Sequence, residues 1–162
     1  MSELPDVPNT ASEPAKERSA QLLTFFLDQQ EYGVDILRVQ EIRGWSAPMP
    51  IPGAPSYIKG VINIRGDVVP IADLRERLRL PPLEYGATTA VVVLRVRYKN
   101  RDRVMGVVVD AMSDVTTVPG HALKPPPTFH DSSESLAKEI ATLEDKMITI
   151  LDVDLVFGDQ AA

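Results

Sequence analysis

The segment Lys59–Leu74, KGVINIRGDVVPIADL, constrains the fold most, because strand, turn, strand and helix signals follow one another within it. Two short apolar runs flank the tight turn Arg65-Gly66-Asp67, where Gly66 supplies the backbone freedom that a two-residue connection needs. Asp73 then stands at a helix N-cap position, with Glu76 three residues later in the capping-box position. The segment therefore predicts a β-hairpin followed by a capped helical turn. Its strand residues are Val61, Ile62, Ile64, Val68, Val69 and Ile71.

A second copy of this pattern follows later in the chain. Residues 32–42 align with residues 105–115 at an offset of 73, and residues 64–73 align with residues 143–152 at an offset of 79. The six extra residues fit the proline-rich loop at 125–135. Two ungapped blocks in the same order predict a duplicated unit of about 60–75 residues. Chance similarity between apolar strands is the alternative.

Short strands, many turns and little helix predict an all-β protein. We expect two tandem five-stranded β-barrels with short helical turns, the first unit spanning roughly 21–82 and the second roughly 88–158, with the exchange of strands between units left open. Units this small have marginal cores, so the two should pack on a shared hydrophobic core. Residues 1–20 are polar and proline-rich, and predict a disordered tail. The core candidates are Phe26, Ile62, Val91, Val93, Val107 and Val109.

Charge and composition exclude several classes of function. The net charge of −6 disfavours nonspecific binding to nucleic acid or to an anionic membrane surface. The chain contains no cysteine, which excludes disulfides, thiolate metal sites and a cysteine nucleophile. No apolar run approaches the roughly 20 residues of a membrane span, and there is no signal-peptide core, so we expect a soluble cytoplasmic protein without direct membrane insertion.

Catalytic and metal-binding patterns are absent from the sequence. His121 and His130 lie near the proline-rich loop without further ligands, and are expected to be solvated. Asp152 and Asp154 could form a carboxylate pair, but their position at a helix start favours capping. We therefore expect no enzymatic activity, no cofactor and no metal.

Two residues are candidates for binding instead. Arg65 lies at a turn tip of an acidic protein, and its planar guanidinium suits a carboxylate across an interface, although a solvated turn arginine fits equally well. Trp45, which is followed by Pro48, Pro50 and Pro52, could anchor in a partner or cover a barrel end.

Four segments of the chain resemble the CheW family of chemotaxis coupling proteins, over about Leu22 to Phe157. The most specific is N-x-R-G-x-x-x-P-x-x-D-L at Asn63–Leu74. The same module occurs in the regulatory domain of the histidine kinase CheA and in CheV adaptors. Because no kinase or receiver domain accompanies it here, a stand-alone CheW fits best. The segments are EYGVDILRVQEIRGW, YIKGVINIRGDVVPIADLR, VMGVVVDAMSDV and DKMITILDVDLVF.

This resemblance implies SH3-like barrels and a non-enzymatic adaptor. Such proteins link the cytoplasmic tips of methyl-accepting chemoreceptors to CheA, in arrays at the inner face of the membrane. The receptor tip, a helical hairpin, would lie in a groove between the barrels. The regulatory domain of CheA would pair barrel end to barrel end, with Arg65 also a possible kinase contact. The implied receptor-binding positions are Val39, Glu41, Gly60, Arg65 and Gly106.

A different class of function remains as an alternative. The cleft between two barrels would also suit a peptide- or ligand-binding module that regulates another signalling enzyme.

Overall fold

The computed structural model describes residues 19–127 and 136–157. Each half of the chain forms strands and then ends in a short helix, in the order that the predicted repeat requires. The elements of the first half are β1 (Ser19–Leu27), β2 (Gln30–Asp35), a 3₁₀ turn (Ile36–Arg38), β3 (Val39–Gly44), β4 (Ile58–Ile64), β5 (Asp67–Asp73) and α1 (Leu74–Arg77). Those of the second half are β6 (Ala90–Tyr98), β7 (Arg101–Val109), β8 (Ala111–Pro119), a 3₁₀ turn (Gly120–Ala122), β9 (Leu123–Lys124), β10 (Ala137–Leu143), β11 (Lys146–Leu151) and α2 (Val153–Phe157).

The strands form two curled sheets, consistent with two SH3-like barrels, and the predicted all-β class is confirmed. A six-stranded sheet has the order β8-β1-β2-β11-β10-β9, and a five-stranded sheet has the order β3-β6-β7-β5-β4. The two halves of the chain have exchanged their first hairpins. The hairpin β1–β2 pairs with strands of the second half, and β6–β7 pairs with strands of the first half.

This exchange divides the strands differently from the contiguous units 21–82 and 88–158. The chain crosses between sheets after β2 and again after β7, so each sheet gains one parallel pair, β2 with β11 and β5 with β7. Parallel strands cannot be joined by a tight turn, and the two strands of each parallel pair here come from different halves of the chain. Each sheet therefore needs both halves. Ser19 and Ala20, expected in the disordered tail, belong to β1, and the rest of that predicted tail lies outside the described residues.

The segment after β3 closes the five-stranded sheet. Met49 and Val61 exchange two backbone hydrogen bonds of 2.9 Å, so the chain runs along the free edge of β4. Pro48 and Pro50 have no N–H to donate, and Met49 between them supplies the one that is needed.

Most of the buried apolar side chains lie between the two sheets. Among the described residues, a cluster of sixteen buried side chains joins strands of both sheets with α1 and α2, while the interior of each barrel holds a cluster of six. The shared core is therefore confirmed. Val107 and Val109 belong to it, whereas Val91 and Val93 fill the five-stranded barrel with Ile62 against them. Phe26 is only half-buried.

Asp73 caps α1, but only half of the predicted capping box forms. Its Oδ1 accepts the N–H of Glu76 at 3.3 Å. The return bond is absent because the N–H of Asp73 donates to the carbonyl of Tyr57 at 2.7 Å. The Glu76 carboxylate instead pairs with Lys59 at 2.5 Å, which joins α1 to β4.

Two ion-pair clusters fasten the sheets together at equivalent places in the repeat. Arg75 in α1 has a side chain only 8% exposed and pairs with Asp110 at 2.5 Å and Asp28 at 3.2 Å. The repeat offset of 79 places Asp154 at the matching position of α2. It makes a bidentate pair with Arg38, at 2.9 and 2.6 Å.

The matching helical positions carry opposite charges, since α1 has the guanidinium of Arg75 where α2 has the carboxylate of Asp154. The predicted capping role of Asp154 is wrong, because Asp152 alone caps α2, accepting the N–H groups of Asp154 and Leu155. The carboxylate of Asp154 is engaged with the guanidinium of Arg38 instead.

The buried arginine gives a stability prediction. In Arg75→Met, Asp110 would lose its guanidinium partner in a mostly buried site, and we expect the free energy of unfolding to fall by about 3 kcal/mol. Urea denaturation measures this. The exposed Arg79→Met is the control, with an expected change of less than about 0.5 kcal/mol. Equal stability of the two variants would show that Arg75 does not fasten the sheets.

Asp154 gives a prediction for pH dependence. Burial acts to raise the pKa of this carboxyl, but hydrogen bonds from Arg38 and from the backbone of Arg97 outweigh it, so the pKa lies below the usual 3.8. A depressed pKa in the folded state stabilises the fold above the unfolded-state value, and this contribution is lost as the pH falls through the folded-state value.

We therefore expect wild-type protein to be more stable than Asp154→Asn at neutral pH. The difference in unfolding free energy should stay constant down to about pH 5 and shrink below about pH 4. Urea titrations of both proteins across this range measure it. A difference that persists unchanged at the lowest pH would exclude the Asp154 carboxylate as its source.

Candidate functional site

The turn between β4 and β5 presents Arg65 to solvent. Arg65 and Gly66 both have positive φ, at 51° and 91°, as a two-residue turn of the primed type requires. The side chain of Asn63 accepts the N–H of Gly66 at 2.8 Å. In the matching turn of the second half, neither Glu144 nor Asp145 has a positive φ. The left-handed arginine is therefore a feature that the repeat does not require.

Glu41 on β3 receives two guanidinium groups. Its Oε1 accepts from Arg65 at 2.6 Å, and its Oε2 accepts from Arg43 at 3.0 Å. Hydrogen bonding from Arg65, and then from Arg43, holds the pKa of Glu41 below its ordinary value. The Arg65 side chain remains 73% exposed, so most of its donor surface stays available to a partner.

This ion pair connects the two edges of the five-stranded sheet. β3 and β4 are its edge strands, and Arg65 directly follows β4. A contact between Glu41 and Arg65 therefore bridges the opening of the curled sheet. A pair whose arginine is 73% exposed contributes little to stability, so its position at the opening is its more informative property.

Three of the five positions implied by the resemblance share one row of the five-stranded sheet. Glu41 pairs with Val93, Val93 with Gly106, Gly106 with Ile71, and Ile71 with Gly60. The row therefore crosses all five strands and includes residues from both halves of the chain. Arg65 reaches the same row through its ion pair with Glu41.

The two glycines of this row are buried, so neither offers a side chain or an open surface to a partner. A Cβ at Gly106 would lie 2.6 Å from Cδ1 of Ile71 and 2.9 Å from Cγ1 of Val91. Gly60 has φ of 144°, and a Cβ there would overlap the backbone carbonyl of Met49. Both glycines permit close packing, and any effect on binding would be indirect.

Val39 is half-buried against the shared core. Of the five implied positions, only Glu41 and Arg65 are charged, and they contact each other, with Arg65 exposed and Glu41 half-buried. Arg43 completes their cluster but was missed from the sequence. Its spacing of two residues from Glu41, which places both on one face of a strand, could have identified it.

Exposed apolar residues occur at matching positions on the two sheets. Ile42 on β3 matches Val115 on β8, and Val68 at the start of β5 matches Met147 at the start of β11. All four are exposed large hydrophobic residues. Each barrel therefore offers a similar pair of apolar side chains to solvent.

The charges beside these apolar pairs differ between the sheets. The residues that match Glu41 and Arg65 are Asp114 and Glu144, which are both acidic. Asp114 instead accepts the N–H of Val115 at 2.8 Å. The two barrel surfaces are therefore alike in their exposed apolar residues but unlike in charge.

Trp45 covers the barrel rather than standing free. Its ring lies 4.1 Å from that of Tyr85, and it packs against the core of the five-stranded barrel. Of the two roles that were left open for Trp45, this position favours the barrel cover.

Other potential sites are limited within the described residues. Across 19–127 and 136–157, no group of three or more His, Cys, Asp or Glu side chains could hold a metal ion. His130 lies outside those ranges. In the same part of the chain, no helix has the length and apolar character needed to cross a membrane.

Comparison with known proteins identifies the family. The sequence model of the CheW-like domain matches residues 21–161. The chain belongs to the CheW family. The chemotaxis protein CheW of Rhizobium meliloti (strain 1021) is 38% identical over 141 residues, which cover 86% of this chain and 88% of that protein. That of Klebsiella aerogenes is 38% identical over 156 residues, covering 93% and 90%.

A solved CheW structure is similar as well. The crystal structure of the scaffolding protein TtCheW from Thermoanaerobacter tengcongensis has a TM-score of 0.76 and 27% sequence identity, covering 85% of this chain and 92% of that one. The resemblance to the CheW family inferred from the sequence is thus confirmed. This CheW-family chain has the fold of a scaffolding protein, with the Glu41–Arg65 cluster at the opening of one barrel.

The buried glycine of the row gives a testable prediction. Gly106→Ala would press a methyl group against Ile71 and Val91, and we expect it to lower the free energy of unfolding by about 1–3 kcal/mol. Gly44→Ala is the matched control on a neighbouring strand, where a Cβ meets nothing within 4 Å. Urea denaturation compares the two. If Gly106→Ala were as stable as Gly44→Ala, the assignment of Gly106 to close packing would be wrong.

Proposed function

We propose that this CheW-family protein is a non-enzymatic adaptor that couples transmembrane chemoreceptors to the histidine kinase CheA. It works in the cytoplasm and reaches the inner face of the membrane through receptor arrays. Membership of the CheW family supports this role, since the relatives are chemotaxis proteins and TtCheW is a scaffolding protein. The alternative, a ligand-binding module that regulates another enzyme, has no comparable support.

The observation that carries the proposal is the row through Glu41, Gly106 and Gly60, with Arg65 bound to Glu41. Positions that the family resemblance assigns to receptor binding lie far apart in the sequence but in this one row of the five-stranded sheet. The residues of a single docking surface are expected to lie together in this way.

The receptor-facing surface consists of Glu41 in this row, Arg65 bound to it, and their neighbours. Arg65 and Glu41 provide charge, and the exposed Ile42 and Val68 provide apolar area. An antiparallel helical hairpin would bury those apolar side chains, while the ion pair sets its register. Gly60 and Gly106 support the surface from inside the barrel.

The kinase-facing surface is assigned to the six-stranded sheet. The regulatory domain of CheA is itself a CheW-like module, so pairing between barrel ends is a natural arrangement. Val115 and Met147 are exposed apolar residues on that sheet and are its proposed contacts. Arg65 remains a second candidate for the kinase.

Arg65→Glu tests the charged part of this surface. It would place a carboxylate opposite Glu41, and we expect binding of a receptor signalling fragment or of the CheA regulatory domain to weaken about tenfold. The free energy of unfolding should change by less than about 1 kcal/mol, because the pair is exposed. Cosedimentation of the ternary complex measures assembly, and titration with each partner alone identifies which contact is lost.

Arg79→Glu is the matched control, since it makes the same change of charge at an exposed residue that follows α1 and belongs to neither sheet. Wild-type protein that binds neither partner at tens of micromolar would exclude those partners. Equal affinities of Arg65→Glu and Arg79→Glu for both partners would remove Arg65 from the site.

A further inference from the structure

The β6–β7 hairpin carries a dense group of positive charges that the adaptor surfaces do not use. Residues 95–103, RVRYKNRDR, contain five of the chain's seventeen Lys and Arg residues and one acid. The hairpin is therefore net +4 on a chain of −6, so the remaining residues carry −10. All five basic residues are exposed. The stretch lies within the region that resembles the CheW family, but between two of the four segments that carry the resemblance.

The two faces of this hairpin differ in how their charges are engaged. On one face, Arg97 pairs with Asp102 at 3.4 Å, and Arg95 donates to the carbonyl of Leu37 at 2.8 Å. The β-register places Arg101 beside Tyr98 and Arg103 beside Val96 on the other face. Within the described residues, neither Arg101 nor Arg103 has an ion-pair partner.

Two cationic side chains lie close to the ring of Tyr98. The guanidinium carbon of Arg103 lies 5.1 Å from the ring centre, and Nζ of Lys99 lies 5.2 Å from it. A guanidinium above an aromatic ring is weakly held when solvent-exposed, so Arg103 can turn toward a stronger anionic partner. The face therefore combines an aromatic surface with the available positive charge of Arg103.

An apolar groove of about 530 Å³ adjoins this face. Arg103 is the charged residue among those that line it, and the other lining residues are mostly apolar. Val96, Tyr98 and Met105 extend the groove along the hairpin, and Tyr57, Val61 and Phe157 form other parts of its wall. An open groove of this composition is suited to side chains that project from one face of a helix.

We propose that the groove and the adjoining hairpin bind an amphipathic helix whose flank is acidic. Apolar side chains spaced three and four residues apart would enter the groove, and carboxylates on the flank would face Arg101 and Arg103. The positive hairpin on an otherwise negative molecule would attract this partner from a distance and orient it.

The rest of the molecule argues against a larger polyanion at this place. A nucleic acid or an anionic membrane would extend past the hairpin and meet the residues that carry −10. A single helix is short enough to contact the hairpin and groove alone. The groove contains none of Val39, Glu41, Gly60, Arg65 and Gly106, so this surface goes beyond the receptor and kinase contacts proposed above.

A fluorescent peptide of about 18 residues tests the proposal, with leucines along one helical face and glutamates on its flank. We expect the full chain to bind it, measured by fluorescence anisotropy, with affinity that falls as salt is added. Arg101→Glu/Arg103→Glu should weaken binding about tenfold. Lys124→Glu/Lys138→Glu makes the same charge change on the six-stranded sheet and should remain within about twofold of wild type.

The site is located by amide chemical-shift changes on adding the peptide. Changes centred on Tyr57, Tyr98 and Met105 would support the proposal, and near-UV circular dichroism checks that each variant is folded. Changes centred on Glu41 and Arg65 would overturn it, as would equal affinity of the two double variants. Tighter binding of a roughly 20-nucleotide RNA or of phosphatidylserine vesicles would also overturn it. The Arg65→Glu variant should bind the peptide normally, so failure of the adaptor proposal would be distinguishable.

Discussion

The exchange of hairpins between the two halves of the chain is the constraint on which the remaining structure depends. β1–β2 finds its sheet partners in the second half, and β6–β7 finds them in the first. The largest apolar cluster lies between the resulting sheets, so neither half can bury its core alone. The row that holds the candidate site contains Glu41 and Gly60 from the first half and Gly106 from the second. The geometry of the site is therefore a product of the exchange.

The candidate surface also depends on what lies beneath it. Gly106 lets Ile71 and Val91 approach the strand, and Gly60 lets the segment around Met49 cover the edge of β4. These close contacts lie in the same row of the sheet as Glu41, which binds Arg65. Interior packing and surface charge act together here, and a substitution at a buried glycine can alter binding without touching the partner.

Local pattern was sufficient to predict much of this structure from the sequence. The hairpin around Arg65, the cap at Asp73 and the repeat follow from turn chemistry and periodicity, which depend on neighbouring residues. The strand exchange could not be predicted in this way, because each strand has the same pattern whichever sheet it joins. For the same reason the pairing of Asp154 with Arg38, 116 residues away, was missed and a local capping role was preferred. The family resemblance indicated Gly60 and Gly106, but only packing distances reveal that both are buried and closely packed.

The two barrel surfaces have a further consequence as a pair. Ile42 and Val68 on one sheet match Val115 and Met147 on the other, yet the first pair lies beside Glu41 and Arg65 and the second beside Asp114 and Glu144. A duplicated molecule with identical ends could be joined to its partners in either orientation. Unequal charges remove that symmetry and give the molecule a polarity, because the two ends favour different complementary charges. Divergence at a few surface positions is thus enough to make the two ends of an internally duplicated fold chemically distinct.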